Sequence, residues 1–170
     1  MRPSGTLPHV GEGFAGEGAH AAHVNIVLGH RAGPVSESWV TALATPREGH
    51  VPFVAVARPG VPVRPFTLFV NKATVEGERH GVLTWGAAQA GIAAGTGAAT
   101  KERLLPRDLD SHLVIAAVWV DPAATDEEAV FANNSAATLA AFRMIASGGP
   151  SAKEALAAML DPANPYFRRG

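Results

Sequence analysis

The segment Leu113-Val-Ile-Ala-Ala-Val-Trp-Val120 carries no charged or hydrogen-bonding side chain other than the indole of Trp119. It has the length of a strand and falls far short of the roughly 18 apolar residues a membrane-spanning helix needs. An unbroken apolar run of this length fits a strand covered on both faces, so it is expected near the centre of a sheet. Ala22 to Leu28 alternates instead, with Val24, Ile26 and Leu28 pointing one way and His23, Asn25 and Val27 the other. That pattern predicts a half-buried strand with two polar side chains on one face. A chain of 170 residues, 47% of them hydrophobic, can close one such core but not two ordinary ones, so a single domain over 1–170 is expected.

Helices should cover the sheet. Gly33-Pro34 opens one, because Pro is tolerated at the first helical position, and Val35, Trp39, Ala42 and Leu43 form a stripe expected to lie on the sheet. Pro52 to Ala57 and Thr67 to Val70 read as short strands, with Pro59, Pro62 and Pro65 keeping their connection extended. Trp85 to about Arg103 is Ala-rich and helical, and its Gly91, Gly95 and Gly97 suit close packing. Thr125 is the expected cap of a long helix with Asp126, Glu127 and Glu128 in its first turn and Phe131, Leu139, Phe142 and Ile145 on its apolar side. Gly148-Gly149-Pro150 stops it. From about residue 150, Ser151 and Glu154 form a capping box that opens a short helix, and a Pro-containing tail runs from Asp161 to Gly170.

Several chemistries are excluded early. A formal charge of -1 gives no bulk reason to bind nucleic acid or an anionic membrane, and zero cysteines remove thiol nucleophiles and thiolate zinc sites. The N-terminal stretch lacks the apolar core of a signal peptide, so a soluble cytoplasmic protein is expected. Gly11-Glu-Gly13-Phe-Ala-Gly16 has dinucleotide-loop spacing, but no apolar strand precedes it and no helical pattern follows, so its glycines read as turn residues. His20 and His23 are three apart in a segment read as strand, which sends them to opposite faces, and no acidic residue interleaves them; no metal site is expected. His23 itself lies mid-strand, where an imidazole needs a hydrogen-bond partner or serves in proton transfer. Lys72 stands at a sheet end, and taken alone reads as a solvated lysine; Gln89 and Asn134 read as amides that satisfy packing holes in Ala-rich helices.

Collinear short motifs then carry a resemblance. Gly16-Glu-Gly18-Ala-His-Ala-Ala-His23-Val-Asn25 and Gly33-Pro34-Val35 resemble the Gly-Asp-Gly, Ala-His-Ile-Asp and Gly-Pro-Val signatures of formaldehyde-activating enzyme. Val54-Ala55-Val56, Pro65-Phe-Thr67-Leu68, Asn71-Lys72-Ala73-Thr74 and Gly86-Ala87-Ala88-Gln89 are similar to its Leu-Ala-Val, Pro-x-Thr-Leu, Asn-Lys-Val-Thr and Gly-Pro-Ala-Gln motifs. Lys101 to Pro106, Asn134 to Thr138 and Asn164-Pro165-Tyr166-Phe167 continue the match to the end of the chain. The resemblance implies an α+β fold like the second domain of ribosomal protein S5, with a mixed or antiparallel sheet packed by helices, assembled as a homopentamer with sites between subunits. It implies condensation of formaldehyde with tetrahydromethanopterin, a co-substrate, with no tightly bound cofactor and no metal. By the same resemblance His23 is the proton donor, and Asn25, Val54, Lys72, Thr74 and Gln89 contact substrate.

The departures point to a divergent branch. Asn25 stands where the family has Asp; an amide hydrogen-bonds but brings no negative charge to a substrate or to the imidazole beside it. Asp121 replaces a family His, and Asn133-Asn134-Ser135-Ala136 replaces Tyr-Asn-Tyr-Glu. Two readings therefore stand: an enzyme acting on formaldehyde or another small aldehyde, and a homologue that binds a pterin or related ligand without turnover, as a carrier or sensor. An S5-like RNA-binding module is disfavoured by the charge of -1 and the lack of a basic patch.

Overall fold

The computed structural model describes residues 7–164; the final motif of the resemblance, from Pro165 on, lies outside them. In chain order the elements are β1 (His9–Ala15), β2 (Ala22–His30), α1 (Pro34–Ala44), β3 (Phe53–Val54), β4 (Val56–Arg58), β5 (Val61–Pro62) and β6 (Phe66–Asn71). Then follow α2 (Gly77–Val82), a wider π-type stretch (Leu83–Ala88), α3 (Gln89–Lys101), β7 (His112–Trp119), α4 (Glu127–Ser147) and α5 (Ala152–Leu160). The arrangement is α+β, around a mixed sheet ordered β1-β2-β7-β6-β3. The β6–β7 pair is parallel and its neighbours are antiparallel. The helical crossover from β6 to β7 is what permits that parallel pair.

The apolar run forms β7 and holds the middle of the sheet, as its composition requires. The alternation in β2 divides the sheet into two unlike faces. Ala22, Val24, Ile26 and Leu28, with Val114, Ala116, Val118 and Phe69, are fully buried beneath α3 and α4. His23, Asn25 and Val27 point to the other face, which α1 covers only near the far end of β2, where Gly29 meets Val35. Trp39 fastens α1 there by donating its Nε1–H to the Val114 carbonyl at 3.1 Å. Val35 is buried as its stripe predicts, but Leu43 at the last turn is exposed.

The glycines in α3 do allow close packing: a Cβ on Gly91 or Gly95 would lie 2.6 Å from the Phe131 or Ser135 carbonyl oxygen of α4. Four local expectations need correcting. Gly11 and Gly13 are strand residues of β1, not turn residues, and the missing side chains let the strand press on α4. His20 sits in a 3-10 turn (Gly18–His20) before β2 rather than in the strand. Pro59-Gly60 reverses the chain into a β4–β5 hairpin instead of keeping it extended, because Gly60 adopts a φ of 78°. Asp126, not Thr125, caps α4 by accepting from the Ala129 amide at 3.0 Å, and His20 Nε2 accepts from the amides of Thr125 and Asp126 just before it.

Candidate functional site

Antiparallel register decides which side chains meet on the face away from α3 and α4. Glu12 of β1 is paired with Asn25 of β2, and Phe14 with His23; on the other flank Asn25 pairs with Ala117 and His23 with Trp119 of β7. Side chains at paired positions share a face, so Glu12, His23 and Asn25 stand together. Glu12 Oε1 lies 3.1 Å from His23 Nε2, with the two side chains 49% and 41% exposed. The Phe14 ring tilts beside the imidazole at a centroid distance of 6.3 Å.

Lys72 follows β6 immediately, and its amide donates to the Val118 carbonyl at 2.7 Å, extending the parallel ladder by one bond. This aims its side chain across the small Ala117 of β7, and Nζ donates to Asn25 Oδ1 at 2.7 Å. Lys72 is therefore half-buried and bonded, not a freely solvated lysine. Burial lowers its pKa from the usual 10.5, and the Glu12 carboxylate opposes that shift. Glu12 thus touches His23 and acts through its charge on Lys72. Sequence reasoning missed it; the available signal was its place between two glycines of a strand whose alternate positions face a helix.

Thr74, two residues after Lys72, is exposed and its Oγ1 lies 3.2 Å from His50 Nε2. The other His50 nitrogen, Nδ1, lies 3.0 Å from the Asn71 carbonyl oxygen, and Asn71 Nδ2 donates to the carbonyls of Gly49 and Ala73 at 2.7 Å. The Gly49–His50 segment thereby braces the Lys72–Thr74 loop. Sequence reasoning did not single out His50 either.

Val54 and Gln89 lie apart from this cluster. Val54 belongs to the edge strand β3, three strand spacings from His23, or about 14 Å measured across the sheet. It lines an open, mainly apolar hollow with Trp39, Val40, Phe66 and Leu113, to which Arg31 and Ser36 add polar groups. Gln89 is buried, and its Oε1 accepts from the Val56 amide at 2.7 Å, tying β4 to the start of α3. One copy of the chain thus groups Glu12, His23, Asn25 and Lys72, sets Thr74 close in sequence, and leaves Val54 and Gln89 at the opposite edge. Asn134 is buried in α4 and donates Nδ2 to the Val130 carbonyl, the packing role expected of it.

Among the described residues no group of three His, Asp or Glu side chains gathers to hold a metal ion, and no helix is long and apolar enough to cross a membrane. Comparison with known proteins gives a consistent picture. The family model described as formaldehyde-activating enzyme matches residues 10–167. The 5,6,7,8-tetrahydromethanopterin hydro-lyase of Methanosarcina barkeri is 36% identical over 159 residues, covering 93% of this chain and 89% of that protein. A bifunctional enzyme Fae/Hps of Methanococcoides burtonii is 34% identical over 142 residues, 83% of this chain but 36% of that protein. Another from Archaeoglobus fulgidus is 33% identical over 135 residues, 79% of this chain and 34% of that one. The chain spans only about a third of those bifunctional relatives.

Proposed function

The chain belongs to the formaldehyde-activating enzyme family, and from that premise we propose that it condenses formaldehyde with tetrahydromethanopterin to methylene-tetrahydromethanopterin and water. One pterin amine adds to the aldehyde carbon and gives a carbinolamine. Protonation of its hydroxyl releases water and leaves an iminium, which the second amine closes with loss of a proton. Both components of the aldehyde carbon–oxygen double bond and two nitrogen–hydrogen bonds are broken, and two carbon–nitrogen bonds and the two oxygen–hydrogen bonds of water are formed. Hydroxide is a poor leaving group, so an acid aimed at that oxygen is worth roughly 10²–10⁴ in rate. His23 is that acid in this reading. Holding both small reactants in register on the protein adds a proximity effect.

The observation that carries the reading is the Glu12–His23 and Lys72–Asn25 pairing on one open sheet face. The ammonium and the amide offer hydrogen-bonding complements to the donor and acceptor edge of a pterin, with Thr74 beside them. Val54 and Gln89 complete the contacts in this proposal from a second copy, because no single ligand of pterin-ring size bridges both edges of one sheet. We therefore infer sites between subunits, and from the family resemblance we infer that the assembly is a homopentamer. We also infer one domain over 1–170 of the ribosomal protein S5 domain 2 type, acting in the cytoplasm with no tightly bound cofactor. The second reading, a pterin-binding homologue without turnover or one acting on another small aldehyde, draws its support from Asn25 in place of the family Asp.

The test measures methylene-tetrahydromethanopterin formation above the spontaneous rate for wild type and His23→Ala. The expected result is acceleration by wild type that falls by roughly 10²–10⁴-fold in the variant, while pterin binding by calorimetry persists. Pterin binding by wild type without acceleration would favour the second reading.

A further inference from the structure

We propose that Glu12 is a positioning residue of this site, holding the His23 imidazole by its Nε2 edge and supplying the negative charge that Asn25 does not. The inference rests on the formaldehyde-condensing reading for its kinetic consequence, though not for its geometry. Three features of the chain support it.

The first is register. Glu12 is the cross-strand partner of Asn25, so its carboxylate enters the cluster from the strand beside the one that lacks it. The second is connectivity. Glu12 Oε1 is 3.1 Å from His23 Nε2, and the same carboxylate acts on Lys72, whose Nζ is held by Asn25. A carboxylate at Nε2 accepts only from a protonated nitrogen, which fixes that edge of the ring and leaves Nδ1 as the ring's second donor when the imidazole is doubly protonated. In the doubly protonated ring Nε2–H is engaged by Glu12, and Nδ1–H is the proton that passes to the carbinolamine oxygen. The third is the rigidity of the mount. Gly11 and Gly13 bring β1 against the carbonyls of Ala141 and Ala137, and the Glu12 amide donates to Met144 Sδ at 3.2 Å. Strand alternation between two such anchors leaves the Glu12 side chain only the reactive face.

The Glu12–His23 contact is too exposed to serve stability, because a pair half open to water is screened and adds little. A ligand laid over the face excludes water and strengthens it, so its effect belongs to the bound state.

The experiment compares wild type, Glu12→Gln, and Glu12→Gln combined with Asn25→Asp, each checked for an unchanged far-ultraviolet spectrum. Two readouts are taken. In turnover, Glu12→Gln is expected to lower kcat about 10- to 100-fold, a part of the whole acid contribution, with KM changed less than about threefold. Moving the carboxylate across the strand pair in the double variant is expected to recover about tenfold of that loss. A residue that merely supported the fold would show no such rescue. In NMR of ¹⁵N-histidine protein, the His23 Nε2–H is expected to exchange with water about fivefold faster or more in Glu12→Gln, because a charge-assisted bond has become a neutral one. Unchanged Nε2–H exchange overturns the proposal whatever the turnover. Changed exchange with an inactive wild type upholds the positioning role and removes the formaldehyde reading instead. Changed exchange with turnover equal to wild type overturns the kinetic claim.

Discussion

Replacing Gly13 by Ala probes the packing that aims Glu12 at the sheet face where His23 stands. A Cβ at Gly13 falls 1.9 Å from the Ala137 carbonyl oxygen, whereas such contacts essentially never come under 3.0 Å, so strand and helix must part by about 1.1 Å. The obstacle is main chain in the middle of α4, so no rotamer change relieves it. That places the cost near the upper end of overpacking, about 3 kcal/mol. For a chain of this size each kcal/mol moves the Tm by about 2–4 °C, giving a fall of about 6–12 °C. Glu12 moves with its strand, so the 3.1 Å contact to His23 lengthens and turnover drops with stability. Gly97→Ala is the control for composition. Gly97 is exposed within α3 and nothing lies within 4 Å of its Cβ position, so the same chemical change gains about 1 kcal/mol from helix propensity. Urea unfolding and thermal melts of the three proteins at one concentration make the comparison. A loss below about 1 kcal/mol in Gly13→Ala, or a comparable loss in Gly97→Ala, refutes the close-approach argument.

Two further outcomes test the surroundings. His80 is 2% exposed and bridges two elements, its Nδ1 accepting from the Glu76 amide and its Nε2 lying 3.0 Å from the Val120 carbonyl oxygen. His80→Phe leaves the buried Val120 carbonyl and the partly covered Glu76 amide without this partner, and is expected to cost about 1–3 kcal/mol in urea unfolding; a neutral result would contradict the bridge. Lys72 is a case of sign: its folded pKa is lowered chiefly by burial, so in the window between that lowered value and 10.5 the unfolded chain holds more protons than the folded one. Stability of wild type relative to Lys72→Met therefore rises with pH as 10.5 is approached, and parallel unfolding curves at pH near 7 and 10 would contradict it.

What sequence alone revealed was whatever a few neighbouring residues determine. The Leu113–Val120 run and the Ala22–Leu28 alternation located the central strand and its two unlike faces, since burial of a strand is written in its own side chains. The Gly33-Pro34 start and the Ser151–Glu154 capping box were equally local, and the structure keeps both, the box with its reciprocal bonds. The Pro59-Gly60 reversal was lost because proline spacing suggested extension while a single positive φ at Gly60 turned the chain. The cap of α4 moved one residue because Thr125 and Asp126 are both good caps, and the Asp126 carboxylate reaches the Ala129 amide.

The site was half legible for a different reason. His23, Asn25, Lys72 and Thr74 came from a resemblance, but their meeting depends on pairings that no window of sequence contains: Lys72 reaches Asn25 from 47 residues away. Glu12 shows the limit most clearly. Its flanking glycines suggested a turn because Gly is scarce in strands, yet in β1 they are there because α4 leaves no room for a Cβ. A strand with glycine at successive inward positions has side chains on one face only. Glu12, the one side chain of β1 between Gly11 and Gly13, is consequently delivered to the side where His23 stands, and its carboxylate lies 3.1 Å from that imidazole.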